Sequence, residues 1–131
     1  MFTIVNPIGP WLIPIGAGVV VLWGFGHILP WREVVNGFGP LSPMNRRIVE
    51  MEWVAEGLAL IFIGALALAV WAVAPAGYLV SDVVLALCAG ALAVLALWTA
   101  IIGYATGMIF IRLCPLVLTA AAVAILFGAF R

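Results

Sequence analysis

The stretch NRRIVEMEWVAEGLALIFIGALALAVWAV, residues 45–73, decides the fold. Its first part carries two arginines and three glutamates, and no charged residue follows Glu56 within the stretch. A helix of about 20 apolar residues is long enough to cross the hydrocarbon core of a bilayer. The stretch therefore predicts a membrane-spanning helix over about residues 46–73, with a charged end at its N-terminus.

Three further tracts have the same apolar character, at about residues 10–29, 81–103 and 109–130. The chain of 131 residues is 68% hydrophobic and 8% charged, with a mean hydropathy of +1.37. This composition lies far outside that of water-soluble domains. Because the tracts are continuous rather than alternating, they favour helices over the strands of a β-barrel. Short connections then predict an all-α fold: one integral membrane four-helix bundle over residues 1–131, with antiparallel sequential helices in the lipid bilayer.

The arginines indicate an orientation. Four of the five basic residues fall near the first or third connection: Arg32, Arg46, Arg47 and Arg112. The fifth, Arg131, belongs to the opposite side. The positive-inside rule therefore predicts a cytoplasmic loop at about residues 30–45 and both termini outside. The net charge of zero gives no basic surface for nucleic acid, so no nucleic-acid partner is expected.

The first connection also contains apolar residues at helical spacing, namely Trp31, Val34, Val35 and Phe38. They predict a short helix lying on the membrane surface. Ser42 or Asn45 is expected to cap the second spanning helix, and Ser81 the third, where Asp82 suits the helix dipole.

Tryptophans and small residues predict how the helices are anchored and packed. Trp11 and Trp71 are expected near the outer membrane surface, and Trp31 and Trp53 near the inner one. Small residues recur at every fourth position in the third and fourth helices, namely Ala86, Gly90, Ala120, Ala124 and Gly128. They predict faces that pack within the bundle or against another protomer.

Polar residues within the spans form the candidate site. His27 and Glu56 each lie about one turn inside the cytoplasmic ends of their helices, so they are expected at similar depth. Glu52 shares the side of Glu56, Arg112 enters the fourth helix, and Tyr104 leaves the third. An ionisable residue within a span is costly and usually functional. The predicted ligand site therefore comprises His27, Glu52, Glu56 and Arg112, with Tyr104 contributing a hydroxyl.

Two interpretations of this cluster stay open. In the functional one, Glu56 faces the bundle interior and is neutralised by Arg112, by His27 or by its own protonation. In the structural one, Glu56 forms a salt bridge with Arg112, Glu52 extends to the headgroups, and His27 donates to a backbone carbonyl. In both, Arg46 and Glu50 pair at i,i+4 near the water.

The sequence lacks the patterns typical of metal, haem and thiol redox sites. The chain has no HxxxH, ExxH or CxxC spacing, so no metal site is predicted, and its single histidine does not supply two axial haem ligands. Cys88 and Cys114 are expected at different depths, which argues against a disulfide and against thiol redox chemistry.

The order of these features resembles the small four-helix bacterial membrane proteins grouped as DoxX-like. The resemblance rests on a glycine-rich first helix ending in His27, on residues 46–64 and on RLCPLVLT at residues 112–119. It implies the bacterial inner membrane and association with a quinone-linked electron-transfer system.

The expected function is an accessory or small-ligand-binding membrane protein, with a quinone or a lipid as candidate ligand. A larger membrane complex or a homo-oligomer would be its partner. Two alternatives remain: a membrane-embedded acid/base enzyme acting on a lipid-like substrate through Glu56 and His27, and a purely structural subunit.

Overall fold

The computed structural model describes residues 8–74 and 77–130. Within them the chain forms helices only: α1 (Gly9–Ile28), α2 (Trp31–Gly37), α3 (Pro43–Val73), α4 (Leu79–Gly103) and α5 (Ile109–Ala129). All but α2 are long and apolar enough to cross a membrane, judged by length and composition. The prediction of an all-α bundle is confirmed, and the four long helices support a multi-pass membrane protein.

The four long helices form a ring in chain order. The most extensive contacts join α1 to α3 and α4 to α5, α1 also packs on α5, and the contact between α3 and α4 is smaller. Neighbouring helices run antiparallel: the start of α1 meets the end of α5, and α3 meets the end of α1 at Gly57 and the middle of α1 at Gly64. This arrangement brings the end of α1, the first half of α3, the end of α4 and the start of α5 to one end of the bundle.

Glycines allow α1 to approach its neighbours closely. A Cβ atom on Gly24 would lie 2.8 Å from the carbonyl oxygen of Gly57, and one on Gly64 would lie 2.7 Å from the carbonyl oxygen of Ala17. On the other side, a Cβ on Gly16 would lie 3.1 Å from that of Ala124. In membranes such contacts replace the hydrophobic driving force as the main source of helix association.

One of the two predicted small-residue faces packs inside the bundle, and the other is exposed. In α5, Ala124 and Gly128 pack inside the bundle against α1, as predicted, whereas Ala120 is exposed. In α4, Gly90 is exposed, and a Cβ added to it would meet no atom within 4 Å. The face of α4 that carries Gly90 therefore points away from the other helices.

The predicted N-cap residue is confirmed for α3 and wrong for α4. The Ser42 hydroxyl accepts a hydrogen bond from the backbone N–H of Asn45 at 3.2 Å, so Ser42 caps α3. The prediction that Ser81 caps the next helix is wrong, because α4 begins at Leu79 and Ser81 is buried within its first turn. Gly77, at φ +80°, reverses the chain early and allows this earlier start. Pro75 and Ala76 of the same connection lie outside the described residues, as does Arg131.

Helix α2 is the predicted surface helix, and it is attached to the bundle at one end. Val35 is fully buried, whereas Phe38 is about half exposed. The guanidinium of Arg46 donates to Asn36 of α2 at 2.9 Å and to Glu50 at 3.0 Å, so the predicted Arg46–Glu50 pair is confirmed. Arg46 therefore holds α2 against the start of α3.

Candidate functional site

A cavity of about 670 Å³ lies at the end of the bundle beneath α2. Its walls come from the end of α1, the first half of α3, the end of α4, the start of α5 and the inner side of α2. Most of its lining is apolar, including Phe38, Trp98, Ile102, Ile109 and Phe110. Several of these side chains are also more than half exposed at the outer surface, so the cavity borders the lipid-facing side of α4 and α5.

The acid/base pair of the site is His27 and Glu56. Helix α1 carries His27 in its last turn, and α3 crosses it where glycines bring the two backbones together, which places Glu56 opposite. Nε2 of His27 and Oε2 of Glu56 are 3.6 Å apart. The His27 side chain is 10% exposed and that of Glu56 is 30% exposed, so the pair is largely shielded and faces the cavity.

Trp53 fixes the position of His27. The Trp53 indole Nε1–H donates to the backbone carbonyl of His27 at 2.6 Å. The two rings also stack, with centroids 4.0 Å apart and planes 12° from parallel. Carbonyls in the last turn of a helix lack intrahelical partners, so this hydrogen bond satisfies a group that would otherwise be unpaired.

This role of Trp53 was not predicted from the sequence, which indicated only an interfacial anchor. A signal was available, since Trp53 precedes Glu56 by three residues and therefore shares its helix face.

Two buried polar atoms at the cavity, Nε2 of His27 and Oε1 of Glu56, have no hydrogen-bond partner among the described residues, while Nε1 of Trp23 is buried beside the Cys114 thiol. All three residues line the cavity. Leaving a buried donor or acceptor unpaired costs about 1–3 kcal/mol. The side chains of Trp23, His27 and Glu56 therefore form the polar part of an otherwise apolar lining.

Other polar side chains of the cavity are already engaged. The Thr99 hydroxyl donates to the carbonyl of Leu95 at 2.8 Å, and the Thr106 hydroxyl donates to that of Gly103 at 2.7 Å. Cys114 is a free, buried thiol whose side chain lies close to Trp23 and Thr99. These groups shape the wall beside the unpaired atoms.

The structure separates the other predicted site residues from this pair. Glu52, Arg112 and Tyr104 are exposed, and none of them lines the described cavity. Arg112 lies in the first turn of α5, where its Nε donates to the backbone carbonyl of Thr106 at 2.8 Å. The salt bridge between Glu56 and Arg112 considered from sequence is not formed among the described residues. A ligand-binding role for these three residues stays a prediction.

The backbone acceptor considered for His27 is also not used, since neither ring nitrogen of His27 donates to a backbone carbonyl within the described part of the chain. Instead, the His27 carbonyl is the acceptor for Trp53. Within the described residues, no group of three or more histidine, cysteine, aspartate or glutamate side chains is arranged to hold a metal ion.

Fold and site together define a class of protein: a small helical membrane bundle with a largely apolar cavity and a shielded histidine–glutamate pair at its wall. Comparisons with protein-family models, with curated proteins and with solved structures found no match to this chain.

Proposed function

We propose that the protein binds a small amphiphilic molecule taken from the membrane. Its polar end would bind at Trp23, His27 and Glu56, and its apolar body would lie along the aromatic and aliphatic wall formed by α4 and α5. The cavity volume of about 670 Å³ is within the range of small-molecule sites, about 300–1,000 Å³. An apolar cavity with a few convergent polar groups is also the usual chemistry of such sites.

The observation that carries this proposal is the shielded His27–Glu56 pair, with its side chains 3.6 Å apart, in the lining of a large and otherwise apolar cavity. A purely structural bundle gains nothing from burying an imidazole nitrogen and a carboxylate oxygen without hydrogen-bond partners. A ligand whose polar end meets the pair after a small rotation of these side chains would offset that cost, and the apolar remainder of the cavity would select its hydrocarbon part.

The cellular setting is part of the proposal. The resemblance to DoxX-like proteins supports the bacterial inner membrane and an accessory role beside a quinone-linked electron-transfer system, with a quinone or a lipid as the amphiphile. A larger membrane complex or a second copy of the chain would be the partner. The arginines of the first and third connections, which lie at the α2 end of the bundle, support a cytoplasmic location for that end.

A second candidate function is acid/base catalysis on a lipid-like substrate. The 3.6 Å approach of His27 to Glu56 favours it, because such a pair can pass a proton to or from a bound group. Turnover of an amphiphile that is lost in Glu56→Gln, with the variant still folded and still binding, would support catalysis. Binding without turnover would leave the accessory role.

Gly26 offers a direct test of binding. It lines the cavity, and a Cβ added to it meets no atom within 4 Å, so Gly26→Leu would fill the cavity without disturbing the helix contacts. Gly18 lies on the same helix and is equally unobstructed but does not line the cavity, so Gly18→Leu is the matched control.

We expect mass spectrometry of extracts from purified protein to detect a bound amphiphile in the wild type and in Gly18→Leu, with a large reduction in Gly26→Leu. Equal recovery from all three, or a wild-type protein that is stable and empty, would contradict the proposal and favour a structural subunit.

A further inference from the structure

Two pairs of helices enclose the cavity. At the cavity end of the bundle α1 stays against α3, since a Cβ on Gly57 would lie 3.0 Å from the carbonyl oxygen of Gly24. Helix α4 stays against α5, because a Cβ on Gly103 would lie 2.5 Å from Cγ2 of Ile111. The cavity is therefore a cleft between the pair α1 and α3 and the pair α4 and α5, with lining residues from both pairs.

The two pairs meet at the opposite end of the bundle, where α1 packs on α5. A Cβ on Gly128 would lie 3.3 Å from the carbonyl oxygen of Gly9, and one on Gly16 would lie 3.0 Å from that of Ala121. Nearer the cavity, side chains join the two helices, with Trp23 beside Cys114. The close backbone approaches described for α1 and α5 thus lie in the half of the bundle away from the cavity.

Helix periodicity shows that the same faces are apart at the cavity. His27 follows Gly9 by 18 residues, and Phe110 precedes Gly128 by 18 residues, which is about five helical turns. Each therefore lies on the face of its helix that makes the contact between Gly9 and Gly128. Both line the cavity, and Phe110 is 67% exposed. Faces that touch at one end of the bundle are separated by the cavity at the other.

The resulting opening lies between Gly26 of α1 and Phe110 of α5, and we call it the α1–α5 gap. Gly26 is exposed and lines the cavity, and a Cβ added to it would meet no atom within 4 Å. A glycine on one edge and an apolar ring on the other leave the gap unobstructed and uncharged. Both residues belong to candidate membrane spans, so the gap opens towards lipid.

Helix α2 covers the cavity on the side that faces water. It begins just after α1, and its last residue, Gly37, reaches the start of α5, since a Cβ on Gly37 would lie 3.4 Å from Cε of Met108. Val34 lines the cavity from α2, and Val35 is fully buried. Because Arg46 also holds α2 through Asn36, this helix obstructs the route from water.

The flank between α3 and α4 is a poorer entrance for a hydrocarbon chain than the α1–α5 gap. It carries the Glu56 carboxyl group, whose side chain is 30% exposed, and the indoles of Trp53 and Trp98. A hydrocarbon chain that passed the carboxyl group would remove it from polar surroundings, which costs free energy. The edges of the α1–α5 gap carry no such group.

We propose that the ligand enters and leaves the cavity sideways through the α1–α5 gap, from the lipid leaflet at the α2 end of the bundle. This inference rests on the proposed function. It limits the ligands to amphiphiles that reside in that leaflet and excludes a supply from water past α2.

A bulky group placed at the gap tests this route by order of addition. Phe110→Cys is prepared in a background of Cys88→Ala and Cys114→Ala, placed in phosphatidylcholine nanodiscs, and labelled with pyrene maleimide either before or after loading. The probe is a long-chain alcohol that carries a diazirine on its chain. Photo-crosslinks to the peptide that contains Trp53 and Glu56 measure occupancy on the α3 side of the cavity, away from the label.

We expect the label to obstruct exchange in both directions. Added before the probe, it should slow the appearance of crosslinks about tenfold, as a barrier higher by about 1.4 kcal/mol would. Added after loading, it should slow by a similar factor the loss of crosslinks that follows an excess of unlabelled alcohol. A label that occupies the cavity itself would instead displace the probe in the second order of addition.

Three other cysteines, labelled in the same way, separate the routes. Leu116→Cys lies on the same helix, and Leu116 is as exposed as Phe110 but does not line the cavity, so its label should change neither rate. Ile102→Cys reports on the flank between α3 and α4, and Glu33→Cys reports on α2 and the water side. The label at position 110 should slow both rates more than the label at either of these positions.

The outcomes separate this inference from the proposed function. Unchanged rates with the label at position 110, displacement of the probe by that label, or a larger slowing from position 102 or 33 would overturn the α1–α5 route while leaving a ligand site. Absence of crosslinks to the cavity in the unlabelled protein would contradict the proposed function itself.

Discussion

At the scale of single residues, the site depends on how Trp53 holds His27. The indole stacks on the imidazole at 4.0 Å and donates to the His27 carbonyl at 2.6 Å, so one side chain fixes both the ring and the backbone of the histidine. His27 in turn lies 3.6 Å from Glu56. The position of the acid/base pair therefore depends on a tryptophan that belongs to neither of its members.

Trp53→Phe tests this arrangement, because it keeps an aromatic ring for stacking and removes the indole donor together with part of the ring. We expect the free energy of unfolding to fall by about 1–3 kcal/mol, since a carbonyl in a shielded place loses its partner. Thermal unfolding in detergent measures the change.

Trp98→Phe is the control for Trp53→Phe, since Trp98 is 63% exposed and its change should alter stability little. Equal stability of Trp53→Phe and the wild type would show that the hydrogen bond does not hold His27.

The sequence predicted part of this site for a physical reason. Counting residues from the helix ends gives depth, and depth alone brought His27 and Glu56 to the same level. It did not give the direction in which each side chain points, so Arg112 was expected beside them although it turns to the loop carbonyl of Thr106. The roles of Trp23 and Trp53 depend on the rotation of α1 and α3 about their axes, which a hydrophobic pattern present all round a helix does not specify.

At the scale of helices, the contact between α1 and α3 fixes that rotation. Gly24 of α1 and Gly57 and Gly64 of α3 form the close approach, and the spacing of Gly57 and Gly64 keeps both on the face of α3 that meets α1. The small-residue faces of α4 and α5 were predicted from the sequence, and those of α1 and α3 were not. The length and apolar character of the helices were predictable, whereas the choice of facing surface was not, because glycines and alanines occur on several faces of each helix.

Gly64→Ala tests the packing away from the site. The added Cβ would lie 2.7 Å from the backbone oxygen of Ala17, so the helices must separate. We expect a loss of about 1–3 kcal/mol in the free energy of unfolding, the usual cost of overpacking.

Gly90→Ala is the matched control for Gly64→Ala, because its Cβ meets nothing within 4 Å and alanine favours the helix. Denaturant unfolding in mixed micelles compares the two variants. If Gly64→Ala were as stable as Gly90→Ala, the contact between α1 and α3 would be looser than described.

At the scale of the whole molecule, the bundle has two different ends. Helix α2, the exposed arginines of the first connection and the cavity lie at one end. At the other end, Trp11 and Trp71 have ring centroids 6.3 Å apart, at the level predicted for an outer aromatic belt. We expect the α2 end to face the cytoplasm.

Single cysteines test this orientation in a background of Cys88→Ala and Cys114→Ala. Met44 is exposed at the start of α3, and Tyr78 is exposed just before the start of α4, at the other end of the bundle. Met44→Cys and Tyr78→Cys therefore report on the two sides of the membrane. In intact cells a membrane-impermeant thiol reagent should label the cysteine at position 78 and spare that at position 44 until the membrane is opened. The reverse pattern would invert the assigned orientation.

The central claim is that the cavity binds an amphiphile with its polar end at Trp23, His27 and Glu56. Photo-crosslinking with a long-chain alcohol that carries a diazirine on its chain, followed by peptide mass spectrometry, tests the claim most directly. We predict crosslinks concentrated on cavity residues such as Trp98 and Phe110, and lost when unlabelled alcohol competes or when Gly26→Leu fills the cavity. Crosslinks spread evenly over lipid-facing residues such as Leu87 and Val94, with no competition, would contradict it.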